Sequence, residues 1–127
     1  MKLLLDTSAF LWWVTADERL GPRARAVVSE SETTVFVSAV SAWEIAIKRS
    51  LGKLDVDGDV GRLIEQEDFE ELPIRVVHAL EAESLPHHHR DPFDRMLIAQ
   101  SRHERMVLLT SDRTFVKYDV QILRAQS

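Results

Sequence analysis

Five acidic residues stand where a carboxylate could do chemistry: Asp6 after the apolar residues 3–5, Glu44 in Ser41-Ala42-Trp43-Glu44, Asp91 and Asp94 in Asp91-Pro92-Phe93-Asp94, and Asp112 after the apolar residues 106–109. Taken singly, each reads as a helix cap or a partner of a helix dipole. Ser41-Ala42-Trp43-Glu44 has capping-box spacing, Asp91-Pro92 reads as an N-cap with proline at the first helical position, and Asp112 can cap its own turn. Gathered at one rim, four carboxylates would repel and raise one another's pKa unless a cation neutralised them. With no cysteine in the chain, such a set suits a hard ion, Mg²⁺ or Mn²⁺, which keeps several waters and shares phosphate oxygens with its substrate. The chemistry that follows is phosphoryl transfer or phosphodiester hydrolysis by an activated water, with no covalent protein intermediate.

The elements that must position these acids alternate in type. Residues 2–5 predict a short strand and residues 7–13 a helix; after Gly21-Pro22, residues 23–31 predict a second helix with Val27 and Val28 inward. The β-branched residues 33–37 predict a strand, and residues 38–51 a helix that Gly52 stops. Residues 55–71 carry eight acids against Arg62 alone and predict a solvated acidic helix with Val60, Leu63 and Ile64 inward. Further on, strands are expected at 72–74, 106–109 and 120–123, helices at 76–85 and 92–104, and a helical turn at 111–115. Strands joined to helices by connections too long for hairpins predict an α/β fold, three-layer α/β/α with a mainly parallel central sheet. The ligand crevice of such a sheet lies at the carboxyl ends of its strands. Asp6, Glu44 in the first turn of its helix, and Asp112 fall at that edge, while the placement of Asp91 and Asp94 depends on the fold.

Composition narrows the class. A chain of 127 residues predicts one domain over 1–127; 45% hydrophobic and 29% charged residues exclude fibrous and disordered classes. The absence of cysteine excludes disulfides, thiolate-bound zinc and a thiol nucleophile. The longest apolar run, residues 9–14, is far short of the roughly 20 residues of a membrane helix, so no membrane role and a cytoplasmic location are expected. Sixteen basic against twenty-one acidic residues give a net charge of −5, which argues against a broad cationic face for duplex binding. Residues 87–113 nevertheless hold five arginines and four of the five histidines.

The motifs Leu4-Leu5-Asp6-Thr7-Ser8, Ser41-Ala42-Trp43-Glu44, HRDPFDRMLIAQ at 89–100 and LLTSDRTF at 108–115 occur in an order that resembles PIN-domain ribonucleases. The small form with these motifs is similar to the VapC-type toxins of toxin–antitoxin pairs, and the resemblance covers essentially the whole chain. It implies a carboxylate pocket at the strand ends, Mg²⁺-dependent endonucleolytic cleavage of structured RNA such as transfer or ribosomal RNA, a cognate antitoxin and a homodimer. By motif position it makes Asp6, Glu44, Asp94 and Asp112 the metal carboxylates. Asp94 is preferred to Asp91 because Leu97, Ile98 and Ser101 follow it at core-facing offsets, leaving Asp91 as the cap. Ser8 and Thr110 or Ser111 stand where the family holds hydroxyls, to orient a carboxylate or a metal-bound water, or as ordinary turn hydroxyls. Arg90 and Arg95, and with them Arg113, are candidates for guanidinium contacts to RNA phosphates.

Other features read more plainly. His87-His88-His89 cannot all face one ion from an extended loop and predict a solvated segment. Trp43 is expected to pack beneath the pocket, and Phe10, Trp12 and Trp13 exceed one buried stripe, so they serve the core or a docking partner. Two other functions compete: a phosphoacceptor receiver-like domain and a non-catalytic acidic binding module. The single Asp6 and the run Thr110-Ser111-Asp112 fit the receiver pattern poorly, because it wants paired acids after the first strand and a lysine after a late one.

Overall fold

The computed structural model describes residues 1–127. Five strands, β1 (Lys2–Leu5), β2 (Thr34–Ser38), β3 (Glu70–Leu72), β4 (Val107–Thr110) and β5 (Ile122–Arg124), form one sheet in the order β3-β2-β1-β4-β5. Every neighbouring pair is parallel. The helices are α1 (Thr7–Val14), α2 (Pro22–Ser29), α3 (Ala39–Ser50), α4 (Val60–Gln66), α5 (Val76–Glu83) and α6 (Pro92–Glu104), with a 3-10 turn at Arg113–Lys117.

β1 is the middle strand, and Leu3, Leu4 and Leu5 are all fully buried, as expected of a parallel strand covered on both faces. The two-residue period sends Leu3 and Leu5 to one face, with Phe10 of α1, Ala24 and Val28 of α2 and Ile64 of α4. Leu4 faces the other way, into Leu97 and Ile98 of α6, Leu108 and Phe115. These two cores make the three-layer α/β/α arrangement predicted from the alternation of elements. Successive connections step outward from β1 to β2 and β3, then restart on its other side at β4 and β5. The switch point therefore falls between β1 and β4, where loops diverge and open a crevice. The Asp6 N–H donates to Leu109 O at 3.0 Å and ties the two strands together there.

The boundaries differ from expectation where partners rather than propensity set them. The acidic segment is helical only over Val60–Gln66, with Asp59 as N-cap and Asp55 and Asp57 outside. β3 begins two residues early and stops before Pro73, which has no N–H for a ladder; its exposed Glu70 and Glu71 mark a charged sheet edge. β5 starts two residues later than expected and ends one later, held by the register Leu108↔Ile122. α5 ends at Glu83, and the 3-10 turn starts at Arg113 because Asp112 caps it. No helix is long and apolar enough to cross a membrane.

Gly21 caps α2 where the C-terminal segment passes: its N–H donates to Ala125 O at 2.8 Å, and a Cβ would lie 2.0 Å from Ser127 O. Gly21→Ala should therefore cost about 2–3 kcal/mol in chemical denaturation. Gly52→Ala, strained by a φ of +70° but in open space, should cost about 1 kcal/mol.

Candidate active site

Asp6 ends β1 and caps α1, its Oδ1 accepting the Ala9 N–H at 2.8 Å; only 5% of the residue is exposed. Burial pushes its pKa up to about 6; hydrogen bonds from the Thr110 side chain and Ala9 oppose this, and the charges of Asp112 and Glu44 add to it. Thr110 is thus one of the expected hydroxyls, and its oxygen also accepts the Asp112 N–H at 3.0 Å. Ser111 makes no side-chain hydrogen bond in the structure, and Ser8 is exposed and makes none. The hydroxyl that works beside Asp6 is instead that of Thr7, 2.7 Å from Glu44 Oε1 and 2.9 Å from Ser41 Oγ.

Glu44 lies in the second turn of α3, not the first. β2 runs one residue further than predicted, so Ser38 becomes the N-cap, accepting the Val40 N–H at 3.0 Å. Ser41 and Glu44 therefore form no capping box; both are buried and turned toward α1. Glu44 Oε2 meets Lys48 Nζ at 2.6 Å, one helical turn on.

At the start of α6, Asp91 is the N-cap: its Oδ1 accepts from the N–H groups of Phe93 (2.8 Å) and Asp94 (3.3 Å). Burial pushes Asp94 up to about 7, the charge of Asp91 adds to this, and His89 opposes it. In Asp112 burial also acts upward, but the His89 and Thr114 hydrogen bonds outweigh it and hold the carboxyl below its ordinary value.

His89 is the residue that sequence reasoning missed. Its Nε2 lies 2.8 Å from Asp112 Oδ2 and 3.1 Å from Asp94 Oδ2, while its Nδ1 accepts the Asp91 N–H at 3.1 Å. A neutral ring that accepts at Nδ1 carries its proton on Nε2. The imidazole therefore donates to both acids rather than offering a lone pair to a metal among them. The predicted solvated segment is wet only at His87 and His88.

What pulls His89 inward is Arg95, whose guanidinium donates to the carbonyls of Pro86 (2.8 Å), Ala82 (2.9 Å) and Leu85 (3.1 Å), together with Tyr118, which donates to Pro86 O at 2.9 Å. Arg95 is thus committed to holding the loop and is not free for phosphate. Arg90 is exposed and unpaired. Trp43 is 60% exposed, packed edge-on against Phe93 at 5.3 Å rather than beneath the pocket; neighbouring helical residues diverge by about 100°, so an inward Glu44 turns it out. Phe10 is buried, and Trp13 reaches Glu67 with its ring N–H at 3.0 Å.

The structure thus brings Asp6, Glu44, Asp94 and Asp112 within electrostatic reach of one another, with Asp91 behind Asp94. An α/β sheet with carboxylates at its carboxyl edge is the class of protein defined so far. The family model described as PIN domain matches residues 3–121, and the chain belongs to that family. Its fold is also that of a chain in the VapBC2 complex from Rickettsia felis bound to promoter DNA (TM-score 0.70, 11% identity, 98% of each chain covered). VapBC-1 from nontypeable Haemophilus influenzae (0.64, 14%, 100% of each chain) and FitAcB from Neisseria gonorrhoeae (0.64, 17%, 95% of this chain and 96% of that one) are similar. Among curated proteins no sequence matches significantly. The family match sets the receiver reading aside.

The raised carboxyls have a measurable consequence. A group whose folded pKa exceeds its unfolded value stabilises the fold at low pH and loses that contribution as pH rises through the folded pKa. For Asp94 that window runs from the ordinary carboxyl value of 3.8 to about 7. Asp94→Asn should therefore stabilise the metal-free protein by about 1–2 kcal/mol at pH 8 and by almost nothing at pH 4. Urea denaturation in chelator at the two pH values measures this.

Proposed function

We propose that this chain is a divalent-metal-dependent endoribonuclease, the toxin of a VapBC-type toxin–antitoxin pair, acting in the cytoplasm as one catalytic domain over residues 1–127. The observation that carries the reading is the rim of Asp6, Glu44, Asp94 and Asp112 at the β1–β4 switch point, two of whose acids are pushed to about 6 and about 7. Membership of the PIN family supports a nuclease. The VapBC and FitAB complexes that share the fold, some bound to DNA, support an antitoxin partner. Structured RNA, transfer or ribosomal, is the substrate the motifs imply, and a second copy of the chain is the further partner.

An all-oxygen donor set with uncompensated negative charge fits Mg²⁺, or Mn²⁺ in its place. When bound, the ion supplies a water of lowered pKa and charge stabilisation at the phosphate. The chain does the positioning: Thr110 and the Ala9 N–H orient Asp6, Thr7 orients Glu44, and the His89 ring N–H aligns Asp94 with Asp112. Asp91 fixes the start of α6, and exposed Arg90 is the remaining arginine of the loop able to meet an RNA phosphate.

Purified, antitoxin-free protein should cut end-labelled transfer or ribosomal RNA at discrete positions with Mg²⁺. EDTA should abolish the cuts, and Asp94→Asn should lower them at least about a hundredfold. Folded protein that cuts no RNA with either Mg²⁺ or Mn²⁺ would leave the acidic binding module as the better account.

A further inference from the structure

Glu44 has both carboxylate oxygens engaged by the chain itself, Oε1 by the Thr7 hydroxyl at 2.7 Å and Oε2 by the Lys48 ammonium at 2.6 Å. The two ends of the Glu44–Lys48 pair differ in setting. The Glu44 side chain is 8% exposed and that of Lys48 is 49% exposed, so the ammonium stands at the mouth with the buried acid behind it and solvent in front. The charges of Asp91 and Asp94 also act on Lys48, after that of Glu44. With its acid buried, the pair offsets the cost of the Glu44 charge, and its half-exposed ammonium keeps the freedom to meet a second anion.

We propose that Lys48 takes the place of a second metal ion on Glu44, so that the rim holds one divalent ion, served by Asp6, Asp94 and Asp112, and that Lys48 is a catalytic residue contacting the scissile phosphate. The proposal deepens the nuclease reading and, for its catalytic half, rests on it. An ammonium has three N–H donors; one is spent on Glu44, and those remaining face solvent, where a phosphodiester would arrive. A second dication on Oε2 would have to displace that ammonium or sit against it, a close like-charge contact. Thr7 keeps Oε1 from turning to offer a free edge. The buried Glu44 charge is matched by a lysine that needs no recruitment, and that lysine is a compact point charge suited to phosphate.

Mn²⁺ titration followed by the electron paramagnetic resonance of the free ion counts sites without reference to cleavage. The wild type should bind one Mn²⁺ per chain. Lys48→Met, which frees Glu44 Oε2 at an exposed position, should bind two, and Lys48→Arg should bind one. Where RNA is cleaved, Lys48→Met should lower kcat about 10²–10³-fold with little change in KM, and Lys48→Arg should recover part of it. Two Mn²⁺ on the wild type, one on Lys48→Met with unchanged circular dichroism, or full cleavage by Lys48→Met would overturn the proposal. Failure of the wild type to cut RNA would instead overturn the nuclease reading and the catalytic half with it, leaving the metal count to decide the other half.

Discussion

Negative charge concentrated at the carboxyl edge of a parallel sheet is the constraint on which the rest of this structure depends. Asp6 is buried between β1 and β4, and Glu44, Asp94 and Asp112 are close enough to act on it or on one another. Left alone, such groups would oppose folding. The chain offsets the repulsion with local devices. Asp6, Asp91 and Asp112 each cap a helical element, where backbone N–H groups favour a negative charge. Lys48 answers Glu44, and the His89 N–H is shared between Asp94 and Asp112. Burial weighs most on Asp6 and Asp94 despite these partners, which is why their carboxyls stay protonated furthest toward neutrality.

The same residues serve the fold and the site, so single acids mislead while their convergence informs. As caps, Asp6, Asp91 and Asp112 set where α1, α6 and the 3-10 turn begin. As a group, with Glu44 reaching in from α3, they lie at the switch point that the strand order creates. The fold is shared more widely: similarity across nearly whole chains persists at 11% to 17% identity.

Much of this was legible in the sequence where the cause is local. β1, α1 and α6 follow from an apolar run, an N-cap and Asp91-Pro92, and the α/β alternation follows from their order. The outer strands β3 and β5 were displaced because register with a neighbour sets their ends. The capping-box spacing of Ser41 and Glu44 suggests a first-turn acid, but Ser38 is the N-cap, three residues before Ser41, held by a hydroxyl that donates to Gln100 of α6 at 2.6 Å, a contact 62 positions away. Local pattern makes His89 solvated and Arg95 a phosphate ligand, because the network that joins them runs through loop carbonyls and through Tyr118, far along the chain. Lys48 did carry a signal, its i+4 spacing from Glu44.

On the proposed function, this rim is a cation site whose acids are held partly protonated until the cation arrives. Calorimetric titration of the protein with Mg²⁺ at pH 6.5, in buffers of different ionisation enthalpy, measures the protons released per ion bound. With Asp94 at about 7 and Asp6 at about 6, release of about one proton per ion is expected, falling to a small fraction at pH 8. Binding without proton release at pH 6.5, or no binding by the folded protein, would contradict it.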